Sequence, residues 1–322
     1  KMLESKLPEN WATLWVERQL LPPLDNNIRC GNSLIDPASY DEYAEKTKAV
    51  LFGENKDTAF RINRFDWESR TAGFGRLLDA QAVEERGRAG FDCIIGNPPY
   101  IRVQELNKWA PEECAFYKWK YKSAAKGNYD IYVVFAERCL SLLAPAGLLG
   151  FIMPHKFWQA RYGEGLRKVI ADGKHLKALV DFAHHQVFRG ATTYTAVHVL
   201  ARSPNARQID YARFDELDDG VGQCAQLDAK PNAAATGVSR RKVAQLPPGA
   251  APFALSADPA FVGMDASKAL HDVADLAQGF KTGADKVFVV QLEKMAGPTA
   301  HVMSQATGRS HKIEAAALRP LV

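Results

Sequence analysis

Hydrophobic and polar positions fall into a strand and helix alternation from residue 91 onward. Phe91-Asp92-Cys93-Ile94-Ile95 is short, mostly apolar and followed by Gly96, and predicts a strand. Phe135, Cys139 and Leu142 recur at helical spacing in a helix expected over 129–143, which stops at Pro145 and Gly147. Leu148-Leu149-Gly150-Phe151-Ile152-Met153 is nearly all apolar, as a buried parallel strand requires. A helix is expected over 163–173 and strands over 176–183 and 193–201. The last two lie close together around Arg189-Gly190 and suggest an antiparallel pair at a sheet edge. Upstream, Trp11, Leu14, Trp15 and Leu20 mark a helix over 9–21 that ends at Pro22-Pro23. Residues 27–35 read as a short strand and turn, and helices are expected around 38–51 and 75–88. The pattern is that of an α/β protein.

Residues 203–255 turn rich in Ala, Pro, Asp, Gln and Arg and include Pro247-Pro248-Gly249, so a linker or loosely packed excursion is expected there. The stretch 276–290 reads as a turn feeding a strand, which opens a second domain over 256–322. The first domain then spans 1–202. With 322 residues, 47% of them hydrophobic, the chain can bury a sizeable core. A net charge of +4 is compatible with a polyanionic partner and too mild to establish one. Five cysteines, an odd number without Cys-x-x-Cys spacing, indicate neither a disulfide framework nor a zinc site. No apolar stretch approaches the roughly 20 residues a membrane span needs. A cytoplasmic protein with free thiols is the expectation.

Asn97-Pro98-Pro99-Tyr100, directly after the first strand, is the candidate catalytic element. An exocyclic amine is a poor nucleophile because its lone pair is delocalised. Two acceptors, the Asn97 side-chain oxygen and a backbone carbonyl in the Asn97-Pro98 stretch, would take both amine hydrogens and draw the nitrogen toward tetrahedral geometry. Tyr100 would offer a π-face, and the prolines fix the backbone that aims the carbonyls. A bare Asn-Pro is commonly only a turn. Placed at the carboxyl end of a strand in an α/β sheet, the full pattern points to a ligand site.

About 28 residues separate this tetrapeptide from the next expected helix, a long loop. It holds Arg102, Lys108, Trp109, Tyr117, Lys118, Trp119, Lys120, Tyr121, Lys122 and Lys126. Cations interleaved with aromatics suit phosphate contacts and base stacking. The plain alternative is a solvated basic face with tucked aromatics. Phe188, at the turn between the last two strands, is a core plug unless that turn faces the same end of the sheet as Asn97. Several tempting signals carry no site: Gly73-Phe74-Gly75 and Gly163-Glu164-Gly165 read as helix entrances, Asp36-Pro37-Ala38 as a helix cap, and His184-His185 lacks a partner at metal-ligand spacing, so no metal is expected.

On these residues the chain resembles the N6-adenine DNA methyltransferases of the TaqI-like γ group, as found in single-chain, type IIG-like restriction-modification or phage-defence enzymes. The resemblance covers most of 24–202 and weakly 272–290. It implies an incomplete Rossmann-like, S-adenosylmethionine-dependent methyltransferase sheet followed by the start of a target-recognition domain. It further implies that Asn97, Pro98, Pro99 and Tyr100 hold a flipped adenine, with Tyr100 and Phe188 stacking on it. Lys126-Gly127-Asn128-Tyr129-Asp130-Ile131-Tyr132-Val133-Val134-Phe135 is similar to the family's helix opening, which makes Phe135 a contact of the cofactor's adenine. Cys30-Gly31-Asn32-Ser33-Leu34 is similar to the segment that reads that adenine, with Asn32 where many members carry Asp. Double-stranded DNA is the implied partner, with Arg102, Lys118, Lys120, Lys122 and Lys126 as backbone contacts. The family's Gly-rich cofactor loop and the acid-ended strand after it have no match here. The chain therefore reads as an N-terminally truncated fragment, expected to bind S-adenosylmethionine weakly or not at all and to be inactive alone. Two other readings stay open: a protein glutamine N5 methyltransferase, which shares Asn-Pro-Pro-Tyr-Ile, and a DNA-binding specificity fragment without activity of its own.

Overall fold

The computed structural model of the protein describes residues 27–47, 61–188, 194–202, 207–218, 222–223, 237–253, 255 and 289–319. The helix expected over 9–21 lies outside them. Compactness divides the chain into Lys1–Ser256 and Ala257–Val322.

The first unit is built on a sheet of order β1-β2-β4-β3-β5-β6. Strand β1 (Phe91–Gly96) runs parallel to β2 (Leu143–Pro154), with Gly96 opposite Phe151. Strand β4 (Thr195–Ala201) lies antiparallel between β2 and β3 (Leu176–Asp181). The expected antiparallel pair is therefore present, but in the interior of the sheet. It is interior because β5 (Gln208–Phe214) pairs parallel with β3 and β6 (Val238–Ala244) pairs antiparallel with β5. Both added strands come from 203–255, the segment expected as a linker. Its alternation explains the difference: Ile209 and Tyr211 are buried while Gln208 and Asp210, which alternate with them, are exposed. Average composition hid that period.

Helix α1 (Pro37–Thr47) starts where Asp36 accepts a hydrogen bond from the Ser39 amide at 2.8 Å, the cap expected from sequence, with Pro37 in the first turn. Two short helices, α2 (Gly75–Leu78) and α3 (Ala80–Arg86), fill the region expected as one helix. They are separated because Asp79 leaves helical geometry (ψ 172°) and caps the second, accepting from the Ala82 amide at 2.8 Å. Gly90 then enters β1 at φ 118°, so close to β2 that a Cβ would sit 2.2 Å from the Ala144 nitrogen; only glycine fits.

The expected 28-residue loop is mostly helical. It forms α4 (Val103–Leu106), α5 (Pro111–Lys120) and a 3-10 turn over Lys122–Ala124. Helix α6 (Tyr132–Leu142) leads into β2, and α7 (Glu164–Asp172) connects β2 to β3. Val133, Leu140, Leu166 and Ile170 pack with Phe151, Met153, Leu179 and Ala196 in the main core, where Leu166→Ala would cost roughly 2–5 kcal/mol. Ile152, Val180 and Val197 pack on a smaller cluster of Phe182, Ala212, Phe214 and Val238.

In the second unit β7 (Val290–Ala296), β8 (Thr299–Ser304) and β9 (Arg309–Glu314) form an antiparallel sheet in that order. The strand expected up to Val290 begins there; the turn before it lies outside the described residues.

Candidate active site

The register fixes which groups share an end of the sheet. Strands β1, β2 and β3 run the same way, and β4 starts where they finish, with Pro154 opposite Thr195 and Asp181 opposite Ala196. Asn97–Tyr100, Pro154-His155, Asp181 and Tyr194 therefore all lie at the carboxyl ends of the parallel strands, where open α/β sheets bind ligands.

Asn97 is exposed and its amide has no hydrogen-bond partner among the described residues, whereas Pro98 is buried and Pro99 exposed. Tyr100 is half-buried. Its hydroxyl donates to the Ile152 carbonyl of β2 at 2.9 Å, and its ring meets Tyr132 edge-on at 6.1 Å. Burial pushes its phenol up to about 12, so it remains a protonated donor at ordinary pH. The chain after Tyr100 is stitched to the segment before α6: the Ile131 amide donates to Ile101 (2.8 Å) and the Val103 amide to Tyr129 (2.9 Å). Beneath, the Tyr132 and Tyr162 hydroxyls share a hydrogen bond of 2.8 Å. The motif therefore stands on a tied frame.

This stitching brings in Asp130, which sequence reasoning passed over inside a segment it had quoted. Burial raises its carboxyl above the ordinary value, against the opposing pull of Arg102 and Lys156. A second acid, Asp181, was also missed. Its oxygens accept from the Tyr211 hydroxyl (2.8 Å) and the Ala183 amide (2.8 Å), and His155 Nδ1 lies 3.3 Å away, close enough for attraction though not aligned as a hydrogen bond. Burial raises its carboxyl, but His155, Tyr211 and Ala183 together outweigh that and hold it below the usual range. His155 packs against Trp158 at 4.7 Å and Tyr194 at 6.3 Å between ring centres. Only a strand-end position and the residue types could have signalled this cluster.

Asn32 and Phe135, expected as cofactor contacts, are in different settings. The Asn32 side-chain amide donates to Glu113 of α5 (2.8 Å) and to the Tyr117 hydroxyl (3.3 Å), while its oxygen accepts from the Leu34 amide (3.1 Å). One lone pair of that oxygen remains for a ligand. Phe135 is half-buried against the main core, on the α6 turn after Tyr132. An acceptor and an aromatic ring fit the adenine end of S-adenosylmethionine.

The basic segment is less open than its composition suggests. Tyr117 and Tyr121 are buried, and Trp119 packs on Tyr43 of α1 at 5.5 Å, so these aromatics build core rather than a stacking surface. Trp109, 63% exposed, is the large aromatic of this segment that faces solvent. Arg102, Lys118, Lys120, Lys122 and Lys126 are exposed, but Lys120 Nζ donates to Ser39 (2.6 Å) and Lys126 lies 3.3 Å from Glu164. Phe188 is half-buried in the connection from β3 to β4, at the expected end of the sheet. The turn at 189–193 lies outside the described residues.

A model of the Eco57I restriction-modification methylase family matches residues 11–188, a span holding Asn32, the Asn97–Tyr100 turn, Phe135 and Phe188. The chain is 36% identical over 219 residues to the type II restriction enzyme and methyltransferase RM.Eco57I of Escherichia coli, covering 68% of this chain and 18% of that protein. It is 29% identical over 218 residues to the type II methyltransferase M.PaeR7I of Pseudomonas aeruginosa, covering 64% of this chain and 36% of the other. The chain thus spans well under two thirds of these relatives. Among solved structures it is similar to the type IIG restriction endonuclease BpuSI, with a TM-score of 0.37 and 15% identity over 48% of this chain and 19% of that one. With more than half of its length matched by the family model, the chain belongs to the Eco57I restriction-modification methylase family.

Proposed function

We propose that the chain carries the target-base side of a DNA methyltransferase of the TaqI-like γ group, which methylates the N6 amine of adenine within a restriction-modification system. The observation that carries the reading is the Asn97–Tyr100 turn at the carboxyl end of β1, with the Asn97 amide unengaged among the described residues and Tyr100 anchored to β2. Asn97 Oδ1 and the Pro98 carbonyl accept the two amine hydrogens of an adenine extruded from double-stranded DNA, and Tyr100 and Phe188 hold the ring. Transfer is direct and in line, so positioning supplies most of the rate. S-adenosylmethionine, when bound, supplies the methyl group; Asn32 and Phe135 would hold its adenine.

Among the described residues, Arg102, Lys118 and Lys122 can meet phosphates without giving up a side-chain partner, whereas Lys120 and Lys126 would first release Ser39 and Glu164. The unit from Ala257 onward is read as the opening of a target-recognition domain.

The test is methyl transfer to duplex DNA by the complete gene product that carries this chain. Asn97→Ala should lower kcat by about a thousandfold or more with DNA affinity little changed. Near-normal adenine methylation by that variant, or transfer to a protein glutamine in place of DNA, would overturn the reading.

A further inference from the structure

The buried cluster around Asp181 has no part in the chemistry above, and it sits at both ends of the connection that carries Phe188. At the start, Asp181 Oδ1 accepts from the amide of Ala183, a residue held at φ 49°, where a side chain other than glycine's is rarely found. Two residues on, the His185 amide donates to Phe182, and its ring nitrogen lies 3.1 Å from the Asp215 carbonyl after β5. Val187, beside Phe188, packs on the Phe182–Phe214 cluster. At the far end, the His155 amide donates to the Tyr194 carbonyl at 3.2 Å, while the His155 ring packs on Tyr194 and faces Asp181. Tyr211 of β5 holds the carboxylate from below, and His198, bonded to Trp158 at 2.9 Å, backs the ring stack.

We propose that Asp181 and His155 are positioning residues that set Phe188 against the extruded base, by fixing both ends of the β3–β4 connection to the strand ends. The inference rests on the methyltransferase reading. Asp181 and Tyr211 are buried, and a buried hydrogen-bonded pair is costly to leave half-satisfied, so the carboxylate, the Tyr211 hydroxyl and the Ala183 amide hold one another in a single arrangement. Strain at Ala183 persists only where the surroundings over-determine it, and Asp181 is the group that does so.

A double-mutant cycle in the complete gene product tests this, with kcat/KM for duplex DNA and the fluorescence of 2-aminopurine at the target position as readouts. Phe188→Ala should lower kcat/KM about tenfold and Asp181→Asn by a similar factor, while the double variant falls little below Phe188→Ala alone. Tyr211→Phe, which keeps the carboxylate and removes one hydrogen bond, should give a smaller loss of the same kind. Multiplying effects, near a hundredfold in the double variant, would overturn the proposal by showing that Asp181 acts on something other than Phe188. So would an Asp181→Asn enzyme with normal flipping fluorescence, or a Phe188→Ala enzyme with normal kcat/KM. Those failures leave Asn97 untouched, whereas near-normal methylation by Asn97→Ala would remove the reading beneath both.

Discussion

Two acids at the same end of the sheet are treated in opposite ways. Asp130, beside the Asn97–Tyr100 turn, is half-buried, has no hydrogen-bonded partner for its carboxylate among the described residues and is pushed up by burial. Asp181, under the β3–β4 connection, is buried, accepts two hydrogen bonds, faces His155 and is held down. Burial acts in the same direction on both. Partners decide the outcome, and the difference separates a carboxylate without side-chain partners among the described residues from one locked by hydrogen bonds.

Removing the acid should break this contrast most visibly. Asp181→Ala strands the Tyr211 hydroxyl and the Ala183 amide, and is expected to cost about 2–4 kcal/mol in denaturant unfolding. Asp130→Ala should stay within about 0.5 kcal/mol. Equal losses would erase the distinction between the two regions.

Acid titration sharpens it. His198, enclosed behind the Asp181 cluster, is driven down to about 3 by burial, with smaller opposing contributions from the Ala196 and Phe151 backbone. Its unfolded form takes up a proton below the ordinary imidazole range, so the stability it supports is present above about pH 6.5 and drains away as pH falls toward 3. Asp181, also depressed, contributes stability that is present above its unfolded value near 3.8 and is lost as pH falls through its lower folded value. Asp130 has the opposite sign, its penalty easing as pH falls through its raised folded value. Unfolding followed from pH 7 to 4 should therefore show a loss of a few kcal/mol that His198→Asn largely abolishes. A pH-independent wild type would contradict it.

The smallest effect belongs to Asp130→Asn at neutral pH, which removes a charge that burial disfavours. It is expected to leave Tm unchanged or raise it by no more than about 2 °C, by thermal unfolding.

Much of the fold was legible where a single period governed a segment. β1 and β2 followed their apolar runs, α6 and α7 formed where helices were expected, and Asp36 capped α1 as read. The basic segment was misread because its cations and aromatics drew attention to a partner, although Pro111-Glu112-Glu113 at one end and Lys118 and Lys120 at the other match the start and stop of a helix. Strands β5 and β6 were missed because composition was averaged over a stretch whose information lay in alternation. At the site, Asn97–Tyr100 was readable as a contiguous signature. Asp181, His155 and Tyr211 were not, since 26 and 30 positions separate neighbours in that sequence and only the strand order brings them together.

The hydrogen bond from Tyr100 to Ile152 also has a thermodynamic side. A free tyrosine ring would surrender its rotation when a base arrived, and each immobilised side chain costs an association about 0.5–1.5 kcal/mol. Here the hydroxyl is tied to β2 and the ring braced by Tyr132, so that freedom is given up during folding. Under the proposed function, an incoming base would meet a wall already at rest.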